Sequence, residues 1–135
     1  MILILLEYGS KITNDELTEF FMCSHMGGMR RSKRKNALIL ISYPNSFYKD
    51  RWEKGVFHYT GMGKKGDQCL EFAQNKTLKD SRDNGVEVHL FEVDKENVYE
   101  YIGRVKLIGM PYQEKQLDED GKCRLVWIFK LGVIF

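Results

Sequence analysis

What this chain lacks most is a catalytic motif. Its three histidines, His25, His58 and His89, stand in no HExxH pattern. There is no GxSxG nucleophile elbow and no Walker-type phosphate loop, so the sequence offers no recognisable zinc-peptidase, serine-hydrolase or P-loop chemistry. Cys23, Cys69 and Cys123 are too widely spaced for a CxxC pair, which argues against structural zinc. An odd cysteine count without a signal peptide points to a reducing, cytoplasmic setting. The opening run Met1 to Leu6 breaks at Glu7, far short of the ~20 apolar residues a membrane helix needs. It also lacks the basic start and cleavage site of a secretory signal, and reads as a buried first strand. The net charge is only +2, so total charge does not announce a nucleic-acid partner.

Charge distribution says more than total charge. Arg30, Arg31, Lys33, Arg34 and Lys35 form a concentrated basic stretch, and the rest of the chain carries a small net negative charge. One basic loop on a near-neutral body is an electrostatic footprint for phosphate, although a merely solvated loop has the same composition. The 135 residues, of which 43% are hydrophobic, fit one domain around a single core.

Periodicity predicts about six strands and two helices. Thr13 and Glu16 form a capping box, with Ile12 and Leu17 as its staple, and open a helix that should end near Cys23. Gly27-Gly28 then begins the basic loop. Ala37 to Ser42 is a continuous apolar run, the signature of a strand buried on both faces. Tyr43 to Glu53 reads as a loop, broken by Pro44 and Asn45, and Val56 to Thr60 as a strand. Gly61, Gly63 and Gly66 make the next turn permissive. Leu70, Ala73, Gln74, Thr77 and Leu78 share a helical face, predicting a second helix from about Asp67 to Arg82, stopped by Gly85. Three period-two stretches follow, around Val86 to Leu90, Tyr99 to Leu107 and Leu125 to Leu131, with an acidic turn at Asp118 to Gly121 before the last. The order is mixed α+β. A strongly twisted sheet curled toward a barrel is the simplest way to protect the strand edges.

The chemistry that remains is of a binding kind. Phe47, Tyr48, Trp52, Phe57 and Tyr59 cluster around Asp50, Thr60 and Gly61. Aromatic faces stack on bases, a carboxylate accepts from a cytosine amino group, a threonine hydroxyl meets the remaining polar edge, and glycine lets backbone approach closely. A protein that inspects one base in a duplex must first flip it out, and needs cationic loops to hold the phosphates. Core packing is the plainer reading of these rings, and the better one for Phe57. Asp50, Asp67 and Glu71 are candidate metal ligands only in principle, since scattered carboxylates are more often caps and surface charges. The GMGKKG stretch, Gly61 to Gly66, has no long βαβ unit around it and is weak evidence for a nucleotide cofactor.

At these residues the chain resembles a family. Phe47-Tyr48-Lys49-Asp50-Arg51-Trp52, then Gly55 and Tyr59-Thr60-Gly61-Met62-Gly63, is similar to the pocket signature of SRA (SET- and RING-associated) domains. Asp67-Gln68-Cys69-Leu70 with Asn75 and Leu78 resembles that family's post-pocket helix, and Tyr99 to Gly103 and Val126 to Phe129 its later strands. Gly27 to Ser32 (GGMRRS), YTGMG and Gly85 to Val93 (GVEVHLFEV) are most similar to the bacterial branch fused to HNH nucleases of the McrA type. The resemblance covers about residues 8–131. It implies a PUA-like twisted β-barrel with two or more flanking helices and a pocket for a flipped, modified cytosine such as 5-methylcytosine. Asp50 would meet the amino edge, Thr60 the remaining polar edge, Tyr59 one stacking face, and Phe47 or Tyr48 the other, with Trp52 and Gly61 completing the pocket. Arg30, Arg31, Ser32, Lys33, Arg34 and Lys35, with Lys64 and Lys65, would meet DNA backbone or groove. No cofactor and no metal is implied. Relatives continue into an HNH domain; because this chain stops at Phe135, the expectation is a single DNA-binding domain that leaves cleavage to a nuclease domain or subunit. An RNA or nucleotide binder on the same PUA-like barrel, and a metal-dependent nuclease hidden in the domain, are the alternatives.

Overall fold

The computed structural model describes residues 6–44 and 46–134. The apolar run expected to form a first strand lies, but for Leu6, outside the described residues, as does the breaker Asn45. Among the described residues one mixed sheet holds nine strands: β1 (Lys11–Ile12), β2 (Met29–Ser32), β3 (Ala37–Ser42), β4 (Arg51–Glu53), β5 (Val56–Thr60), β6 (Glu87–Lys95), β7 (Val98–Leu107), β8 (Tyr112–Leu117) and β9 (Cys123–Val133). Two short helices accompany it, α1 (Asn14–Phe21) and α2 (Ala73–Lys79). The hydrogen-bonded path runs β2-β3-β6-β7-β9-β5-β4, with β1 on β7 and β8 on β9. Among the described residues only β3 and β6 pair in parallel. Among the described residues no helix is long and apolar enough to cross a membrane.

The architecture is α+β, as the order of patterns predicts, and the unbroken apolar run of β3 explains how it is organised. All six of its residues are buried. Ala37, Ile39 and Ile41 face one cluster with Leu17 and Phe21 of α1 and Phe91, Tyr99 and Tyr101 of the sheet. Leu38 and Leu40 face a second cluster with Phe57, Tyr59, Val105, Leu107, Phe129 and Leu131. Strand alternation therefore feeds two apolar clusters from one strand, where a single core was expected. Helix α1 starts on the anticipated capping box: Thr13 Oγ1 accepts from Glu16 N at 3.2 Å, and Glu16 Oε1 accepts from Thr13 N at 2.9 Å.

The sheet does not close into a barrel. It curls until β5 comes to face β2 and β3, but the terminal strands β2 and β4 share no ladder. Side chains bridge the seam instead. The Tyr59 hydroxyl donates to the carbonyls of Gly28 at 2.7 Å and Ile41 at 3.3 Å, and Ser42 Oγ donates to Asp50 at 2.8 Å.

Three further expectations need correction. Met29 to Ser32 is a strand rather than a loop, because Arg30 and Ser32 find buried partners. Arg51 to Glu53 also forms a strand, on β5. The second helix is only seven residues long. The start of its expected first turns is tied to β9 instead: Gln68 N donates to Leu125 O, Asp67 Oδ1 accepts from Leu125 N, and Gln68 Oε1 accepts from Trp127 N, while Cys69 to Phe72 close a single turn. Those tertiary bonds outcompete the helical ones that Asp67 and Gln68 could have made.

Candidate functional site

A cavity of about 490 Å³ occupies the unclosed seam. Gly27 to Met29 and the end of β3 form one wall, the loop carrying Tyr48 and Asp50 a second, and Tyr59 to Lys64 a third, with Phe72 at the rim. Most of this lining is apolar, and Asp50 is the carboxylate on it. Asp50 Oδ1 accepts the Thr60 backbone N–H at 2.7 Å, and Oδ2 accepts the Ser42 hydroxyl at 2.8 Å. An ionised carboxylate offers about four lone-pair sites, so acceptor capacity remains after both bonds. Burial raises the Asp50 pKa above its ordinary value, against the lowering effect of the bonds from Thr60 and Ser42. Burial likewise pushes the Tyr59 phenol well up, so it stays neutral and donates across the seam.

That third wall is built on the glycine turn after β5. Asn75, fully buried, accepts the Met62 N–H at 2.8 Å and donates to Met62 O and Cys69 O, both at 3.1 Å. Gln68 Nε2 donates to Gly61 O at 2.6 Å and Gly63 O at 3.2 Å. Two buried amides thus replace the regular secondary structure this turn lacks. Thr60 is buried, with its hydroxyl accepting from Gln116 Nε2 at 3.3 Å.

Of the residues singled out from sequence, Tyr48, Asp50, Tyr59, Thr60, Gly61 and Lys64 meet at this cavity. Between the two candidate stacking rings, Tyr48 lines it, and Phe47 packs on the Tyr48 ring with centroids 4.3 Å apart. Trp52 is not brought in. It pairs with Phe57 across β4 and β5, its ring lies 4.8 Å from that of Phe57, and its Nε1 donates to Glu92 at 2.6 Å.

The basic stretch also divides. Arg30 is 2% exposed. Its Nε donates to Gly27 O, its Nη1 to Asn14 Oδ1, and its guanidinium lies over the Tyr99 ring, so it braces the cavity rim from inside and presents no charge to solvent. Ser32 is fully buried and bonds Phe21 O. Arg31 is turned back onto Ser32 O, Ala37 O and Asn36. Lys33, Arg34 and Lys35 are exposed at the β2–β3 turn. Four residues of β3 separate that turn from Ile41, roughly 13 Å at a strand's rise. Lys64 and Lys65 are exposed and closer to the cavity, Lys65 within 3.5 Å of Asp120.

Sequence reading missed Ile41, Tyr43, Ser46 and Phe72 in the lining, and it named Met62 within the pocket signature and Met29 within the basic stretch without giving either a place in the pocket. Phe72 is a large apolar residue, 55% exposed, before a strained Ala73 at φ 46°, and the letters announce neither property. Among the described residues no group of three or more His, Cys, Asp or Glu side chains could hold a metal ion. Asp67 bonds Leu125 N, and Glu71 pairs with Lys76 and Lys79.

A family model described as "ScoMcrA-like, SRA domain" matches residues 8–134. Comparison with curated proteins gave no match. Among solved structures, the sulfur-binding and SRA domains of ScoMcrA, complexed with phosphorothioated DNA, superpose with a TM-score of 0.78 at 17% identity, over 97% of this chain and 40% of that one. The DNA recognition domain of LpnPI, a cytosine modification-dependent restriction endonuclease, gives 0.72 at 14% identity, covering 94% and 73%. The SRA domain of SUVH5 bound to fully hydroxymethylated CG DNA gives 0.71 at 25% identity, covering 96% and 89%. The chain thus spans well under half of the ScoMcrA chain it resembles.

Proposed function

The chain belongs to the ScoMcrA-like SRA domain family, and on that premise we propose that it binds duplex DNA containing a modified cytosine, 5-methylcytosine or a bulkier derivative, by flipping the base into the seam cavity. The observation that carries the reading is Asp50, a carboxylate with spare acceptor capacity on the wall of a cavity lined by Tyr48 and Tyr59. Asp50 accepts from the base's amino group, Thr60 meets the remaining polar edge, and the two rings contact the base faces. Flipping costs a few kcal/mol; stacking supplies about 1–3 kcal/mol per base and a charge-assisted hydrogen bond a comparable amount, so the pocket can offset the lost base pair. In this reading the domain is the specificity module of a modification-dependent restriction system in a bacterial cytoplasm, and an HNH nuclease domain or subunit cuts.

The test is a titration of one duplex carrying cytosine, 5-methylcytosine or 5-hydroxymethylcytosine at one position, with single-stranded RNA and free nucleotides as competitors. Tighter binding of a modified duplex is the expected result. Equal affinity for all duplexes, or stronger competition by RNA or nucleotide, would defeat the proposal. Lys64 supplies a separate check. Its charge lies at the cavity mouth, so Lys64→Ala should weaken modified and unmodified duplexes alike and reduce the slope of log affinity against log salt by about 1. A selective loss on modified DNA alone would place Lys64 against the base and not the backbone.

A further inference from the structure

Arg124 of β9 is 4% exposed and is not used in the reading above. Its Nη1 donates to Gly63 O and, at 3.3 Å, to Gly66 O. Its guanidinium carbon lies 5.9 Å from the ring centroids of both Phe47 and Tyr48. Its Nε and Nη2 are buried with no hydrogen-bond partner. Arginine cannot shed its proton, so a full charge is held inside with two donors unpaired, and the Asp118 carboxylate, held low first by the Lys122 backbone N–H and only in part by Arg124, compensates it incompletely. Such a group is often less stabilising than an apolar side chain of the same size. Stability alone is therefore a weak explanation for its place here.

What Arg124 does is join three segments at one carbonyl. Gly63 O receives Arg124 Nη1, Gln68 Nε2 at 3.2 Å and the Tyr48 hydroxyl at 3.4 Å. Gly63 has φ +128°, a conformation that a side chain rarely adopts, so the direction of that carbonyl is set by the glycine. The Tyr48 ring and the turn bearing Gly61 and Met62, two walls of the cavity, are thereby fixed to one point, with the guanidinium beneath the aromatic pair.

We propose that Arg124 is a positioning residue: it holds the Tyr48 ring and the Gly61–Gly63 turn at the spacing that keeps the cavity open for a base, and it does so at a loss of stability. The proposal rests on the base-pocket reading. It is tested with Arg124→Met and Arg124→Lys by thermal unfolding and by affinity for modified and unmodified duplexes across a salt series. Arg124→Met should unfold at the same or a higher temperature. Its preference for the modified duplex should fall about tenfold, the size of a lost buried cation–π and hydrogen-bond contact, while unmodified affinity and salt slope stay unchanged. Arg124→Lys keeps the charge but not the planar fork, and should lose part of the preference. An unchanged preference in Arg124→Met overturns the proposal. So does a loss on both duplexes with a shallower salt slope, which would make Arg124 a phosphate contact. If Arg124→Met melts lower or does not fold, the claimed loss of stability is overturned, and Arg124→Lys decides the positioning role by itself: reduced preference supports it and full preference overturns it. A wild-type protein without preference sinks the base-pocket reading first, and this proposal with it.

Discussion

Asp50→Asn is expected to erase the preference for modified DNA while leaving the protein at least as stable as the wild type. The asparagine carbonyl can still accept the Thr60 N–H, and its amide can donate to the Ser42 hydroxyl, which serves equally as donor and acceptor. What disappears is the charge facing the base. A hydrogen bond to a charged group contributes about 1.5–3 kcal/mol, so the ratio of modified to unmodified affinity should drop roughly 10- to 100-fold. Weak, salt-sensitive binding through the lysines should persist. Asp50→Ala should lose the same preference, but it strands two donors and is the less stable variant. pH gives an independent reading. Burial raises the Asp50 pKa, and only the ionised carboxylate can accept from the amino group with both oxygens. Preference should therefore be present above that raised pKa and fade as pH falls through it, in a window above the ordinary aspartate range. Stability runs the other way. A folded-state pKa above the unfolded one means that the folded protein holds the proton more tightly between the two values. The stabilisation is full below the unfolded pKa and is lost as pH rises through the folded one. Asp50→Asn has no such loss, so its advantage in unfolding temperature should grow from acid to neutral pH. Retained discrimination by Asp50→Asn in binding titrations would remove Asp50 from the base.

The same conflict between stability and function explains which parts of the molecule were legible in the sequence. Where local and tertiary preferences agree, the letters suffice. Thr13 and Glu16 cap α1, Ala37 to Ser42 and Val56 to Thr60 are strands, and Tyr48, Asp50, Tyr59, Thr60 and Gly61 share a cavity. Where a polar side chain is satisfied by a distant partner, local reading fails. Met29-Arg30-Arg31-Ser32 looks like a solvated loop because nothing nearby says that Arg30 will bond Asn14 and lie on Tyr99, or that Ser32 will bond Phe21 O. Asp67 and Gln68 look helical because their bonds to Leu125 and Trp127 span almost sixty residues. Closure of the sheet could not be read either, because side-chain bridges from Tyr59 and Asp50 cross the seam where a ladder was expected. Met29, Ile41 and Phe72 reach the cavity from three separate segments, and Arg124 of a fourth lies behind Tyr48 and Gly63, so the apolar lining and its brace are properties of topology rather than of any one motif.

The second large effect is expected at Gly61, where topology leaves no room for a methyl group. A Cβ there would sit 2.7 Å from Asn75 Oδ1 and 3.1 Å from a Phe129 ring carbon. Asn75 is fully buried and serves three backbone groups, so it cannot retreat without stranding the Met62 N–H and its own amide. Each buried polar group left unpaired costs about 1–3 kcal/mol, and Gly61→Ala should lose about 2–4 kcal/mol in all. For a chain of this size that corresponds to a fall in Tm of roughly 10 °C. The same displacement moves Met62 and Gly63, and with them the wall on which Tyr48 is fixed, so discrimination of modified DNA should fall in whatever fraction stays folded. A double-mutant cycle identifies the collision partner. Asn75→Ala alone should also be strongly destabilising, because it deletes three bonds to the turn. Once that carboxamide is gone, the added methyl has lost its nearest obstacle, and Gly61→Ala in the Asn75→Ala background should cost much less than in the wild type, a coupling of about 1–3 kcal/mol. Simple additivity of the two would assign the collision to Phe129, and would mean that the turn is held by core packing and not by the buried amide.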